Sequence, residues 1–314
     1  MIENKKITVN ENGVRLDAVL FGVCPSSSKA LIRRAIDRGD ILVNSRRSSK
    51  GMKLRGGETI EVIRLLEQSD NLVKPVPGLP LRCVFEDGEL LAFDKAAGMP
   101  VQPLDCDETG TLMNAVVAAH PECRTVGDTP LMAGALHRID ADTSGLVLVA
   151  RNDAAFANMR RQFAEHSVKK TYLALVEGAV AAGGTLENDL VHDPTLPFCR
   201  MIDFKHNRLT RAQCEVLRPM HAVTQFKPIG HTMCENEERT LLEVTIYTGV
   251  THQIRAQLAI AGMHIINDRL YGAFAVENQI GHCLHSLAAS FLHPTSGTET
   301  EIRTNYPAWA STLP

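Results

Sequence analysis

A proline-rich stretch at residues 66–80 divides the chain into two parts with different sequence patterns. Pro75, Pro77 and Pro80 lie there among polar residues, without helical or strand periodicity. Proline removes a backbone donor and disfavours helix in the residue before it, so such a stretch is typical of a linker. We therefore predict a small module at 1–65, a linker at 66–80 and a larger domain at 81–314.

Charge is divided unevenly between these parts. The chain of 314 residues has a formal net charge of −3, which on its own argues against a nucleic-acid partner. Residues 1–75, however, contain 14 basic and 9 acidic residues, a net charge of +5, so the remainder carries −8. A basic module attached to an acidic body indicates that one region of the protein contacts an anionic partner.

The small module has the pattern of two helices followed by a hairpin. Apolar spacing predicts a helix at 14–22 and a second from Lys29 to Arg38, capped by Ser26 or Ser27 and ended by Gly39. Short strands are predicted at 41–43 and 59–63. A basic surface runs from the second helix into the hairpin, and its single sign favours phosphate contact over a merely solvated face. The residues predicted to make these contacts are Lys29, Arg33, Arg34, Arg38, Arg46, Arg47, Lys50 and Lys53.

In the larger domain, short β-like runs alternate with helical stretches. Several connections are short enough for hairpins, and no glycine-rich nucleotide-binding motif is present, so the pattern predicts an α+β fold rather than a doubly wound one. The predicted strands are 81–85, 90–94, 145–150, 171–176 and 241–247, and the predicted helices are 112–119, 152–163 and 253–261.

Other protein classes are excluded by simple features of the chain. Neither an apolar run of about 20 residues nor a secretion signal is present, so no membrane partner is expected. The eight cysteines include no C-x-x-C pair, which favours reduced, buried thiols in a cytoplasmic protein. His282, Cys283 and His285 lie close in sequence, but in a short apolar run they are expected to alternate across a strand, and we predict no metal site.

Three segments carry residues suited to chemistry. The densest polar cluster spans 137–145, directly before an apolar strand, and the alternative is a turn with exposed charges. A second cluster, 251–255, enters a helix, and its Arg255 is able to pair with a carboxylate, although a surface arginine is the simpler interpretation. Tyr172 lies in an apolar strand, where core packing is the default for a tyrosine.

The sequence His137-Arg138-Ile139-Asp140 followed by Thr143-Ser144-Gly145 resembles the signature of the RluA-type pseudouridine synthases. Further segments resemble the other motifs of that family in the right order. The five matching segments are residues 86–101, 137–145, 170–178, 248–272 and 284–294. Residues 15–63 resemble an S4-type RNA-binding module, a combination similar to the family members that act on large-subunit ribosomal RNA.

This resemblance implies a mixed, mainly antiparallel sheet with flanking helices, and an enzyme that isomerises uridine in structured RNA. The reaction conserves atoms, so it implies no cofactor. Asp140 would be the nucleophile, Arg255 would keep it ionised, and Tyr172 would stack on the flipped uracil and help remove the C5 proton. Arg138 would fill the vacated space in the RNA. The residues implied to bind substrate are Arg138, His137, Thr143, His252 and Leu284.

The chain departs from the family pattern at a few positions. Val250 stands where the family usually has arginine, Ala96 where proline is common, and Ser286 where alanine is common; residues 219–239 look inserted. The leading hypothesis is a cytoplasmic, monomeric ribosomal RNA pseudouridine synthase. Transfer RNA as substrate, or a non-catalytic RNA-binding ribosome assembly factor on the same fold, remain as alternatives. An Asp/His hydrolase is disfavoured because no G-x-S-x-G motif is present.

Overall fold

The computed structural model describes residues 1–205, 207, 209–234, 237–272 and 280–310. The chain forms two compact units. The first comprises Met1–Lys74 with Leu104–Glu108 and Thr129–Leu131, and the second comprises the rest of the chain. Within the described residues, no helix combines the length and the apolar character needed to cross a membrane.

The first unit is a four-stranded antiparallel sheet with two helices, in the order β1-β4-β2-β3. Helix α2 has clear local causes: the Ser28 side chain accepts from the Leu31 N–H, and Gly39 ends the helix at φ 85°. The cap is Ser28 rather than Ser26 or Ser27. The apolar face of α2 packs into a core that also contains the buried side chains of the sheet. The elements are β1 (Ile2–Thr8), α1 (Leu16–Val23), α2 (Lys29–Arg38), β2 (Ile41–Val43), β3 (Arg46–Arg47) and β4 (Thr59–Leu65).

Part of the stretch expected to be a linker belongs to this first unit. Leu66 and Val73 are buried, and Gln68–Asp70 forms a short 3-10 helix. Leu66 packs with Leu31 and Cys106, which explains why the chain remains in the unit beyond residue 65.

In the described part of the chain, the second unit consists of a ten-stranded sheet with four α-helices. Its main path is β10-β9-β11-β12-β8-β13-β7-β6-β5, and β14 pairs with β13. Its strand pairs are antiparallel except β13 with β7, so the expected α+β class with a mainly antiparallel sheet is confirmed. The strands are β5 (Cys83–Glu86), β6 (Leu90–Lys95), β7 (Ser144–Ala150), β8 (Lys169–Glu177), β9 (Gly184–His192), β10 (Met201–Asp203), β11 (Met220–Cys234), β12 (Glu237–Ile246), β13 (Leu284–Leu292) and β14 (Glu299–Arg303). The helices are α3 (Leu112–Ala119), α4 (Asp153–Ala164), α5 (Arg211–Val216) and α6 (Gln253–Ile260).

The polar stretch that looked inserted, residues 219–239, is part of this sheet. It forms β11 and the start of β12, which pair from Thr224 with Ile246 to Cys234 with Glu237. The other edge of β11 pairs with β9, and β9 pairs with β10. The hairpin therefore extends the sheet and joins β9 and β10 to it. Helix α6 contacts β9, β10 and β11, the three strands at one end of the sheet.

Candidate active site

The loop between residues 137 and 143 carries Asp140 and is held in shape from several sides. The Thr143 N–H donates to the Asp140 carbonyl at 3.1 Å, and the Thr143 hydroxyl lies 2.7 Å from His282 Nε2. Directly after the loop, Gly145 adopts φ 106°, and a side chain there would collide with the Ser286 backbone. Glycine is needed at this position because β7 and β13 approach each other so closely.

Lys95 holds the same loop in place by a hydrogen bond to its backbone. Its ammonium group is buried and donates to three carbonyl oxygens, those of Ala96, Met99 and Ala141, at 2.6–2.8 Å. Burial lowers the pKa of Lys95 to about 8, while Asp142 and Asp140 act in the opposite direction. The lysine thus ties β6 to the segment that follows Asp140.

Arg255, in the first turn of α6, holds Asp140 by a direct ion pair. Its Nη1 donates to Asp140 Oδ2 at 2.7 Å, and its Nε and Nη2 donate to the two oxygens of Asp268 at 2.6 and 2.9 Å. Burial opposes the charged guanidinium, but the hydrogen bonds and charge of Asp268 outweigh it, so the pKa of Arg255 is raised. Asp268 is itself buried, which acts to raise its pKa, yet Arg255 lowers it overall. The guanidinium therefore stays charged beside Asp140.

His252 and Tyr271 complete the polar cluster around Asp140. His252 precedes α6 with the left-handed φ of 52°, which aims its ring at the loop. Its Nε2 lies 3.7 Å from Asp140 Oδ2, and its Nδ1 lies 3.2 Å from the Tyr271 hydroxyl. Burial lowers the pKa of His252 despite the neighbouring Asp140.

Tyr172 lies in the centre of β8, opposite Ser286 of β13. Its side chain is buried, as expected for a tyrosine in an apolar strand, and it also lines the cavity that contains Asp140. Burial raises the pKa of Tyr172 to about 12, with Ser286 opposing the shift and Asp140 adding to it. The phenol is therefore protonated at neutral pH.

A cavity of about 410 Å³ brings the predicted residues together. This volume is in the range of about 300–1,000 Å³ that is typical of small-ligand pockets. The lining includes all eight residues that the resemblance implies for catalysis and substrate binding: His137, Arg138, Asp140, Thr143, Tyr172, His252, Arg255 and Leu284.

Like Arg255 and His252, two more of these eight use their polar atoms within the protein. His137 Nε2 accepts from the Leu148 N–H at 3.0 Å, and burial lowers the pKa of His137 to about 3, so it stays neutral. The hydroxyl of Thr143 is engaged by His282. Arg138, in contrast, is exposed at the cavity.

Several residues of the site were not singled out from the sequence. Asp268 and Tyr271 fall in the matched segment 248–272, but their contacts with Arg255 and His252 come from the fold. Lys170 also lines the cavity; its Nζ donates to the Thr248 carbonyl at 2.6 Å, and burial lowers its pKa to about 8. Its position two residues before Tyr172 was the available signal.

The eight basic residues of the first unit that were predicted to contact phosphate fall into two groups. Arg34 and Arg38 pair with Asp105 at 2.8 and 2.5 Å, and Lys50 pairs with Asp37 at 2.6 Å. Lys29 lies over the Phe21 ring at 5.3 Å, and Arg47 donates to the Arg38 carbonyl. The side chains that remain directed to solvent without an ion pair among the described residues are Arg33, Arg46 and Lys53.

Potential metal ligands cluster in one place within the described residues, at Asp105, Cys106 and Asp107. Both carboxylates there are occupied by cationic side chains: Asp105 by Arg38, and Asp107 by Arg64 and Lys74. His282 and His285, noted in the sequence, hydrogen-bond to Thr143 and to Ser144 respectively.

The chain is similar to known RNA pseudouridine synthases. Residues 89–260 match the family model described as RNA pseudouridylate synthase. The ribosomal large subunit pseudouridine synthase D of Xanthomonas campestris pv. campestris is 32% identical, over 91% of this chain and 83% of that protein. An uncharacterized RNA pseudouridine synthase of Aquifex aeolicus is 30% identical, over 90% of this chain and 87% of that protein.

Solved structures show the same fold. Human RNA pseudouridylate synthase domain containing 1 superposes with a TM-score of 0.60 at 22% identity, covering 76% of this chain and 89% of that one. Human RNA pseudouridylate synthase domain containing 4 gives a TM-score of 0.52 at 19% identity, covering 73% and 89%.

Proposed function

Because this chain belongs to the RNA pseudouridylate synthase family, we propose that it converts uridine to pseudouridine in large-subunit ribosomal RNA, with Asp140 as the nucleophile. In this reaction the N1–C1′ bond breaks, the uracil rotates and C5 bonds to C1′. The proton lost from C5 is matched by the proton gained at N1, so the atoms balance without a co-reactant.

One observation carries the assignment of the nucleophile. Asp140 faces the cavity while its Oδ2 is held by Arg255, whose own charge is secured by Asp268. A carboxylate must remain ionised to attack a sugar or base carbon, and a fixed cationic partner favours the ionised form. The partner also fixes the direction of the carboxylate before substrate arrives.

Tyr172 and Arg138 have complementary roles in this proposal. The protonated phenol of Tyr172 supplies a flat, buried surface on which the flipped uracil stacks. Its removal of the C5 proton would require the phenolate, which burial disfavours. Arg138 is exposed beside the cavity, so its planar cation is placed to enter the RNA stack; flipping a base costs a few kcal/mol, which such contacts offset.

The RNA substrate is supported by charge within each unit. Among the described residues, those that line the cavity of the acidic second unit include Arg138, Arg160, Lys170 and Arg255 but only one carboxylate, that of Asp140, so this lining carries an excess of positive charge. In the first unit, Arg33, Arg46 and Lys53 present unpaired cations to solvent, and we propose that this unit is an S4-like RNA-binding module. The names of the relatives favour ribosomal over transfer RNA.

Pseudouridine mapping in a deletion strain tests the substrate. Primer extension on carbodiimide-treated RNA detects the product, whereas mass alone does not, because uridine and pseudouridine are isomers. We expect one or more stops in large-subunit ribosomal RNA to vanish in the deletion strain, and to return with the wild-type gene but not with Asp140→Ala. Loss of stops in transfer RNA alone would redirect the assignment. If the deletion strain grows poorly and Asp140→Ala restores its growth, the result would favour a non-catalytic assembly factor as the function of this chain.

A further inference from the structure

Tyr271 contacts three separate parts of the site. Its hydroxyl accepts from the Met201 N–H at 2.8 Å and lies 3.2 Å from His252 Nδ1. The Arg255 guanidinium lies over its ring, 5.2 Å from the centroid. The side chain is only 6% exposed, so these contacts are shielded from water. A tyrosine that joins the start of β10 to His252, which precedes α6, and to Arg255 within α6 is more than a packing element.

The hydrogen-bond pattern of Tyr271 favours one tautomer of the His252 ring. The phenol oxygen already accepts from Met201, and its single hydrogen has His252 Nδ1 as the neighbouring acceptor. A neutral imidazole that accepts at Nδ1 carries its hydrogen at Nε2. The opposite tautomer would direct the Nε2 lone pair at the Asp140 carboxylate, which is electrostatically unfavourable.

The charges around His252 favour this neutral form. Asp140 and Asp268 stabilise an imidazolium, whereas Arg255 and His192 disfavour it, and burial is the largest influence. The net result is a lowered pKa for His252, so the ring is neutral at pH 7 and its tautomer is a meaningful property.

His252 and Arg255 converge on one oxygen of Asp140. Arg255 Nη1 is 2.7 Å from Oδ2, and His252 Nε2 faces the same oxygen at 3.7 Å. Among the described residues, no hydrogen bond reaches Oδ1. The carboxylate, which lines the cavity, is thus held through Oδ2 and has Oδ1 free of hydrogen bonds to the described residues.

We propose that Tyr271 is a positioning residue that locks His252 in the Nε2–H tautomer, so that His252 and Arg255 together hold Asp140 Oδ2 and Oδ1 attacks the substrate. The inference rests on the proposed function and adds to it the atom that reacts and the residue that aims it. Tyr271 acts through His252 and touches no substrate.

Tyr271→Phe removes the hydroxyl and keeps the ring beneath Arg255. We expect kcat to fall about tenfold, because one positioning hydrogen bond is lost, while KM changes by less than about twofold. Tyr306→Phe, at an exposed tyrosine outside the cavity lining, is the matched control and should retain wild-type rates. Steady-state kinetics on ribosomal RNA measure both parameters.

Two substitutions of His252 separate positioning from simple packing. Glutamine places an amide N–H near the position of imidazole Nε2, whereas asparagine places one near Nδ1. We expect His252→Gln to keep activity within about threefold of wild type and His252→Asn to lose about tenfold. Because an amide has no tautomer to lock, adding Tyr271→Phe to His252→Gln should cost less than about twofold more.

The outcomes distinguish this inference from the proposed function. An active wild type with Tyr271→Phe at full kcat, or with His252→Asn as active as His252→Gln, would overturn the role of Tyr271 and leave the function standing. A wild-type chain without isomerase activity would overturn both. If Tyr271→Phe does not fold by thermal melting, the two His252 variants decide the question.

Discussion

At the scale of single residues, the site depends on a buried ion pair in which both oxygens of Asp268 accept hydrogen bonds from Arg255. The Asp268 side chain is 1% exposed and accepts two hydrogen bonds from Arg255, whose Nη1 also donates to Asp140. Neither charge would be tolerated in this environment alone. The sequence predicted the Asp140–Arg255 pairing through a family resemblance, but Asp268 is 13 residues from Arg255 and no local pattern indicates that they meet.

Asp268→Asn tests this arrangement. The substitution keeps the shape but leaves the Arg255 guanidinium without its main counter-charge, so the free energy of unfolding should fall by about 3 kcal/mol. Urea denaturation followed by circular dichroism measures the change. Asp128→Asn, at a largely exposed carboxylate, is the control and should shift stability by less than about 0.5 kcal/mol. Equal stability of the two variants would show that Asp268 does not secure Arg255.

At the scale of elements, local sequence signals were sufficient to predict some helices and strands and gave no indication of others. Helices α2 and α3 follow the predicted bounds because their caps, Ser28 with Gly39 and Thr111, are encoded next to the apolar repeat. Strands β9 and β11 were missed. They have polar sequences, and their formation depends on pairing with each other and with β12 rather than on their own periodicity. The contact of α6 with these strands depends on that pairing, so the sequence did not predict this contact either.

The junction of β7 and β13 beside the Asp140 loop is expected to be intolerant of a side chain. Gly145→Ala would force a Cβ into the Ser286 backbone at a positive φ, so we expect a loss of at least about 2 kcal/mol in unfolding free energy, together with reduced activity. Gly88→Ala is the matched control, since a Cβ there meets no atom and the backbone is unstrained. A Gly145→Ala variant as stable as Gly88→Ala would contradict the close approach of these strands.

Helix α2 carries two neighbouring arginines in different surroundings. Arg33 is exposed without an ion pair among the described residues, whereas Arg34 pairs with Asp105. Arg33→Ala should therefore lower the slope of log affinity for RNA against log salt by about one unit, as expected for one lost phosphate contact. Arg34→Ala should lower it less. Filter binding between 50 and 300 mM salt, roughly the range where such slopes are linear, gives both values. Unchanged slopes for both variants would mean that this helix does not face RNA.

At the scale of the whole molecule, a formal net charge of −3 does not show how charge is distributed along the chain and around the cavity. The first unit presents unpaired cations, and the charged side chains that line the cavity of the second unit are mainly basic, although that part of the sequence is acidic overall. The charge of a whole chain is therefore a poor guide to an anionic substrate, and its local distribution is the informative quantity.

The stability of the molecule should fall in mildly acidic solution. Burial lowers the pKa of His282 and of His285 to about 4, so the folded protein keeps both neutral while the unfolded chain takes up protons below about pH 6.5. The stability that comes from keeping both histidines neutral is fully present above pH 6.5 and is lost as pH falls towards 4. In that window, each histidine lowers the free energy of unfolding by about 1.4 kcal/mol for every unit by which the pH falls. Denaturation at pH 7, 6 and 5 measures the slope.

A variant isolates this effect from other titrating groups. His285→Gln should reduce the pH-dependent loss by the share of one histidine, about half of the loss due to the pair. His192→Gln, at an exposed histidine, should leave the slope unchanged. The same slope in wild type and His285→Gln would show that His285 is not held neutral by burial.

The central claim is that Asp140 is the nucleophile of a uridine isomerase. Purified wild type and Asp140→Ala are incubated with ribosomal RNA from the deletion strain, and carbodiimide primer extension quantifies pseudouridine while filter binding measures RNA affinity. The account predicts stops at specific uridines with wild type, none with Asp140→Ala, and RNA affinities within about threefold of each other, since Asp140 contributes to the reaction rather than to phosphate contact. Undiminished product from Asp140→Ala would contradict it.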